Sequence, residues 1–218
     1  MALAIVDAQT AGTSATTTSV TLALGSSSNA FFAWLGCGNN SVDVCNSATL
    51  DGAAVTLNGP ITLNGNRWYW IGENTALTGS KVLTANWSAG SFHRLIGVAF
   101  SDAHGTAPFG TPVTVGATGS TIDFGTFSGT TGDIVIGLVQ ENTGRTMTPG
   151  TGGSYISPFT GASTFAHGFQ EPGGASVPFD CTLSGSSTHF ACAVNVISGA
   201  PAISNSPRAH YSRMLQSA

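Results

Sequence analysis

The side chains able to do chemistry in this 218-residue chain are four cysteines, five histidines and ten carboxylates. Cys37 and Cys45 bracket the stretch Gly38-Asn-Asn-Ser-Val-Asp-Val44, where a disulfide would staple a loop. Cys181 and Cys192 lie on two strand-like runs, 175–183 and 188–197, joined by Ser184-Gly-Ser-Ser187. Pairing those runs as a hairpin sets Val177 against Val196, Phe179 against Val194, Cys181 against Cys192 and Leu183 against Phe190. Every member of that face is apolar, and a cross-strand cysteine pair suits a disulfide. Four buried thiols acting as small hydrophobes are the alternative. No closely spaced cysteine pair of zinc-site type occurs. The histidines (His93, His104, His167, His189, His210) show no metal-ligand spacing and read as loop or strand-edge residues. No G-x-S-x-G elbow supports a serine hydrolase. The carboxylates stand singly, with no calcium-loop run, and paired glycosidase acids would have to converge in three dimensions. Asp133, opening Gly132-Asp-Ile-Val-Ile136, is expected to cap a turn. No cofactor and no catalytic residue is expected.

Aromatic side chains offer a binding chemistry instead. Trp68, Tyr69 and Trp70 are consecutive, and Trp87 closes the next strand-like run. Alternation places Trp68 and Trp70 on one face of a strand. Exposed, such a pair would stack sugar rings; covered by a second sheet or a loop, it would be core. A core this poor in leucine favours the second reading.

The elements that would carry these residues are strands. Gly, Ser and Thr number 82 of the residues, against one Lys and three Glu. Charged residues are 7% of the chain, and hydrophobic ones 41%, enough for a sizeable core. Short β-branched and aromatic runs recur between Gly, Asn, Ser, Thr and Pro clusters, the pattern of a sandwich or barrel. The strand-like runs include 3–6, 18–24, 80–87, 93–101, 111–115 and 121–127. Asp51-Gly52 between Ala48-Thr-Leu50 and Ala53-Ala-Val-Thr-Leu57 predicts a two-residue hairpin. The fold class is all-β: a two-sheet antiparallel sandwich of jelly-roll type with little or no helix. No repeat of fixed period is evident, and one domain is expected over 4–197. Six basic residues in 218 argue against nucleic acid. No apolar run is long enough for a membrane helix, and the start of the chain does not read as a secretory signal.

Composition changes at 198–218. This extension holds Arg208 and Arg213 and no acid, whereas 1–197 holds four basic and ten acidic residues. Tyr211, Met214 and Leu215 are spaced as one face of a helical turn. The segment reads as an anchoring arm in which those three side chains fill a partner's pocket and the two arginines meet its carboxylates.

The runs Ala4-Ile-Val-Asp7, Thr18-Ser-Val-Thr-Leu22, Ser28-Asn-Ala-Phe-Phe-Ala33, Arg67-Trp-Tyr-Trp70, Leu95–Ser101, Pro108-Phe-Gly-Thr-Pro112 and Ala191–Val196 resemble a jelly-roll-like β-sandwich domain. That domain occurs in structural proteins of tailed-phage virions and in bacterial surface proteins. The resemblance implies a non-enzymatic capsid decoration (cement) or accessory appendage protein, located in the virion. Its partners would be capsid or other virion proteins and copies of itself, with trimers expected. The alternative is an extracellular or surface-displayed carbohydrate-binding or adhesin module using Trp68, Trp70 or Trp87. A polysaccharide hydrolase comes last. The cysteines at 45, 181 and 192 and the 198–218 extension depart from the family pattern.

Overall fold

The computed structural model describes residues 2–24, 28–38, 44–63, 66–74, 80–157, 159 and 166–199. The strands, in chain order, are β1 (Ala4–Leu24), β2 (Ala30–Gly38), β3 (Cys45–Leu50), β4 (Ala53–Ala54), β5 (Asn58–Leu63), β6 (Asn66–Glu73) and β7 (Lys81–Ser101). They continue with β8 (Val113–Phe127), β9 (Ile134–Glu141), β10 (Met147–Pro149), β11 (Ser154–Tyr155), β12 (Ala166–Pro172) and β13 (Val177–Val196). They form two antiparallel sheets. One is ordered β4-β3-β7-β2-β6-β5 with β1 also on β7, and the other β10-β13-β9-β12-β11 with β8 also on β13. The all-β sandwich expected from the sequence is present, and each sheet is drawn from one contiguous half of the chain.

Four strands are long enough to serve two layers each. The first half of β7 pairs with β3 (Leu50↔Leu83), and its second half pairs with β2 (Trp34↔Ile96). β1 follows β7 along both parts, from Ala4↔Ser101 to Leu24↔Lys81, with register shifts between Thr13 and Ser19. Between its two parts β7 folds back. The rings of Trp87 and His93, six positions apart on the same strand, stack at 4.6 Å; a straight strand would hold them ~20 Å apart. The second sheet repeats the device. β13 pairs first with β10 (Pro149↔Cys181) and then with β9 (Cys192↔Leu138), with β8 alongside throughout and a register shift at Thr182/Ser187. Small residues at the fold of β13, Ser184-Gly-Ser-Ser187, leave room for the bulged, strongly twisted backbone such a corner needs.

Three cores result. Inside the folded first sheet, Phe31, Leu35, Tyr69, Leu83, Trp87 and Leu95 pack together. Inside the folded second sheet, Phe124, Phe169, Phe179, Cys181, Val139 and Ala191 do so. Between the two folded sheets lie Phe32, Trp34, Trp68, Ile96, Leu138, Phe190 and Cys192. The burial of β13 follows directly. It alternates in the first part, which has one face in solvent, and is continuous over Phe190–Val196, which is covered on both faces.

Counting each folded strand as two, the first half pairs its strands as β1–β7–β2–β6 in one layer and β1–β7–β3–β4 in the other. The second half pairs them as β8–β13–β9–β12 and β8–β13–β10. Each half therefore has jelly-roll connectivity of its own, and the two lie back to back. The correspondence extends to register. Thr10, Ile96 and Trp34 sit side by side across β1, β7 and β2, and Thr114, Cys192 and Leu138 hold the same places 104, 96 and 104 residues later. His93 pairs with Cys37, and its counterpart His189 pairs with Glu141. The chain thus contains a structural repeat within the expected single unit 4–197. Aligned 96 residues apart, β7 and its counterpart share only Ser88/Ser184, Ser91/Ser187, His93/His189 and Val98/Val194, which is why no period shows in the sequence.

Two local expectations separate here. The Asp51-Gly52 hairpin forms, with both residues at positive φ (48° and 82°) and Leu50 paired to Ala53. The 175–183/188–197 hairpin does not. Those runs are the two parts of β13, and the Ser-Gly-Ser-Ser segment is a fold in one strand. Its apolar positions are buried as expected but divide between cores, Phe179, Cys181 and Leu183 in one and Phe190, Cys192 and Val194 in another.

Candidate functional site

All four cysteines are buried thiols. Cys181 and Cys192 are eleven positions apart on one strand and face different cores, so the bridge expected between them is excluded. Cys37 and Cys45 both enter the first inner core as thiols, with no disulfide between them. Burial, with Asp180 nearby, pushes the Cys181 thiol up to about 12, and burial alone pushes Cys192 up as well. Both stay protonated and act as small hydrophobes.

Of the tryptophans weighed as a sugar platform or as core, Trp68 and Trp87 serve the cores. Trp68 is 3% exposed and stacks between Trp34 (5.6 Å) and Phe190 (4.9 Å), joining the two halves. Trp87 is 3% exposed and lies between Tyr69 and His93. Trp70 alone among them is only partly buried, with its ring stacked on Phe32 at 5.9 Å. Trp68 and Trp70 do share a face, as alternation required, but that face is the interlayer core.

A dense polar cluster lies at the fold of β13, built from Glu141, Ser187 and His189, which sequence spacing alone does not bring together. Glu141 ends β9 at 2% exposure. Its Oε2 accepts hydrogen bonds from Ser187 Oγ (2.7 Å), Thr143 N (2.7 Å) and Thr143 Oγ1 (2.9 Å), and its Oε1 from Arg145 N (2.9 Å). Burial alone would raise its pKa, but these hydrogen bonds outweigh burial and hold it below the usual carboxylate range. His189, fully buried beside it, places Nδ1 3.1 Å from the Ser187 carbonyl oxygen. Burial lowers its pKa, so the ring is neutral near pH 7. Glu, Ser and His meet here, but the linkage differs from that of a hydrolytic triad. Ser187 Oγ donates to the carboxylate instead of to an imidazole nitrogen, and the hydroxyl is buried. The cluster ties the end of β9 to the corner of β13.

Asp133 does the same at the other end of β9. Its Oδ2 accepts from Thr130 N (2.8 Å), the turn expected from the sequence, and its Oδ1 accepts from Ser198 N (2.9 Å) at the end of the sandwich. These bonds overcome burial and lower its pKa. In the first half Asn29 holds the corresponding place, 104 residues earlier, and bonds the backbone of Ala103 through both side-chain atoms. Glu171 has the opposite electrostatics. It is 5% exposed beneath the Gly152-Gly153 turn, and burial together with Asp180 raises its pKa. Among the described residues, no three His, Cys, Asp or Glu side chains converge as a metal-ligand set.

An accessible cleft of about 530 Å³ lies between the two halves. Ile5–Gln9 of β1 form one wall, and Tyr155, Ile156, Ser157 and Gln170 form the other. Val6 and Tyr155, 36% and 39% exposed, are two of the most exposed large apolar side chains described. The candidate arm residues Arg208, Tyr211, Arg213, Met214 and Leu215 lie outside the described residues. No family model, no curated protein and no solved structure matches this chain.

Proposed function

We propose that this chain is a non-enzymatic structural protein of a virus particle, of the decoration (cement) or accessory-appendage type, acting with capsid or other virion proteins and with copies of itself. One observation carries the reading: the clustered buried polar groups, Glu141, Ser187, His189 and Asp133, hold corners and chain ends of the fold, in a chain of which only 7% of residues are charged. So few charges let it meet repeated copies of a partner without charge repulsion. The resemblance to virion jelly-roll domains points the same way, and a closed oligomer, a trimer first, is the expected assembly. The 198–218 extension supplies the partner contact through Arg208, Tyr211, Arg213, Met214 and Leu215. Quantitative mass spectrometry of purified particles tests this. Copies in the tens to hundreds per particle are expected, and absence from particles overturns it.

The second reading, a glycan-binding module, is supported by Trp70 alone, since Trp68 and Trp87 are buried. Selective binding on a glycan array that Trp70→Ala abolishes would favour it.

A further inference from the structure

The two halves of the molecule differ in one strand, and a cleft marks the difference. On one flank β5, spanning Asn58–Leu63, packs against β8. On the opposite flank its counterpart β11 is only Ser154–Tyr155, and the cleft of about 530 Å³ stands between it and β1. That volume lies within the ~300–1,000 Å³ of small-ligand sites. Ala8 and Ile156, buried and apolar, form its floor, and Val6 and Tyr155 stand exposed at its rim.

The polar side chains of the lining restrict what it can take. Gln9, Gln170 and Ser157 are neutral, and each offers both a donor and an acceptor. Among the described lining residues there is no Lys, Arg or His, and Asp7 is the one charged side chain. An anion would meet that carboxylate with no cation to offset it, which disfavours phosphate, sulfate and acidic sugars. A purely apolar ligand would strip water from the amides and the hydroxyl without replacing their hydrogen bonds. A neutral polyol meets both limits. Each of its hydroxyls donates and accepts, and the C–H face of a sugar ring is apolar enough to cover an aromatic ring. The site is also preorganised in part. Tyr155 Oη donates to the Met147 carbonyl oxygen (2.6 Å), which fixes its ring. Gln9 Nε2 donates to Asp7 Oδ1 (2.9 Å), which fixes one end of its amide. Groups already held in place lose little freedom on binding.

We propose that this cleft binds a neutral oligosaccharide, with one sugar ring against Tyr155 and its hydroxyls hydrogen-bonded by the side chains of Gln9, Gln170 and Ser157. The site is distinct from the Trp70 platform, since Trp70 pairs with Asn58 of β5 on the other flank. It stands whether or not the chain is a virion protein.

A glycan array carrying neutral and acidic oligosaccharides, probed with the full chain, tests this, followed by calorimetric titration of the best neutral binder. Tyr155→Ala, Gln9→Ala and Gln170→Ala are each expected to weaken binding about tenfold, and Trp70→Ala to leave it unchanged. Gln9 and Gln170 belong to none of the three cores, so their variants carry the test even if Tyr155→Ala fails to fold. Absence of any neutral binder, preference for acidic glycans, or unchanged affinity in both glutamine variants overturns the proposal. Binding lost in Trp70→Ala and kept in the cleft variants moves the sugar to the other flank and overturns it as well.

Discussion

Glu141, Asp133 and His189 hold their buried positions in their neutral-pH charge states, and this sets the response of the protein to acid. The two carboxylates have folded pKa values below their unfolded ones. Their stabilisation is complete above the unfolded carboxylate range and is lost as pH falls through the folded values. His189 is lowered from 6.5. It contributes above pH 6.5 and loses that contribution as pH falls below it, because protonation favours the unfolded chain. All three losses run in one direction, so Tm should fall from about pH 6 downward, more steeply below the carboxylate range (about pH 4). Glu141→Gln should flatten the lower part of that profile and cost about 1–3 kcal/mol at pH 7. Glu171 runs the other way: its raised pKa penalises folding as pH rises through 4.5 and beyond. Glu171→Gln is therefore expected to raise Tm at pH 7 and to leave it unchanged at pH 3; a lower Tm at pH 7 would show that the charge is needed. For the cysteines, denaturing alkylation without reductant should label four thiols by intact mass, and reductant should not move Tm.

At the scale of elements, the folded strands depend on residues that let two layers approach. A Cβ on Gly36 would stand 2.1 Å from the Trp68 ring, and one on Gly137 would stand 2.5 Å from Phe169 and 2.8 Å from Phe179. Neither position has room to relax, because the rings are packed on both sides. Gly36→Ala and Gly137→Ala should each destabilise by about 1–3 kcal/mol in chemical denaturation, while Gly52→Ala, with open space around it, should cost less and only through its positive φ. Strand-like runs were legible along most of the chain, and Asp51-Gly52 was legible as a turn because two adjacent residues carry the whole signal. The corners were misread for the converse reason. Ser184-Gly-Ser-Ser187 has the composition of a loop, yet the continuity of β13 is decided by β8, which lies sixty residues away in sequence and pairs with it on both sides of the fold. The runs 3–6 and 18–24, 80–87 and 93–101, and 111–115 and 121–127 are likewise the two parts of single strands, β1, β7 and β8.

For the whole molecule, the interlayer core makes the two halves one cooperative unit. Trp68 of the first half stacks on Phe190 of the second at 4.9 Å, and Phe190 is fully buried. Calorimetry should show one transition with equal calorimetric and van't Hoff enthalpies. Phe190→Ala should cost about 3–5 kcal/mol, and two resolved transitions in that variant would identify the interlayer contact as the coupling. The low charge, the glycine, serine and threonine abundance and the period-two alternation were enough, by themselves, to determine an all-β sandwich and the burial of apolar runs such as those of β13, because burial of alternate residues is a local property of a strand; His93, His167 and His189, expected at loops or strand edges, are instead fully buried. What each face is buried against was decided only by tertiary structure. Trp68 and Trp70 read as core in preference to a sugar platform, but what covers them was set only by the second sheet. Cys181 and Cys192 matched a disulfide in one register and stand in separate cores in the actual one. The jelly-roll repeat and the cleft beside β1 follow from pairings between distant strands, and a register held by backbone hydrogen bonds leaves little trace in side-chain identity.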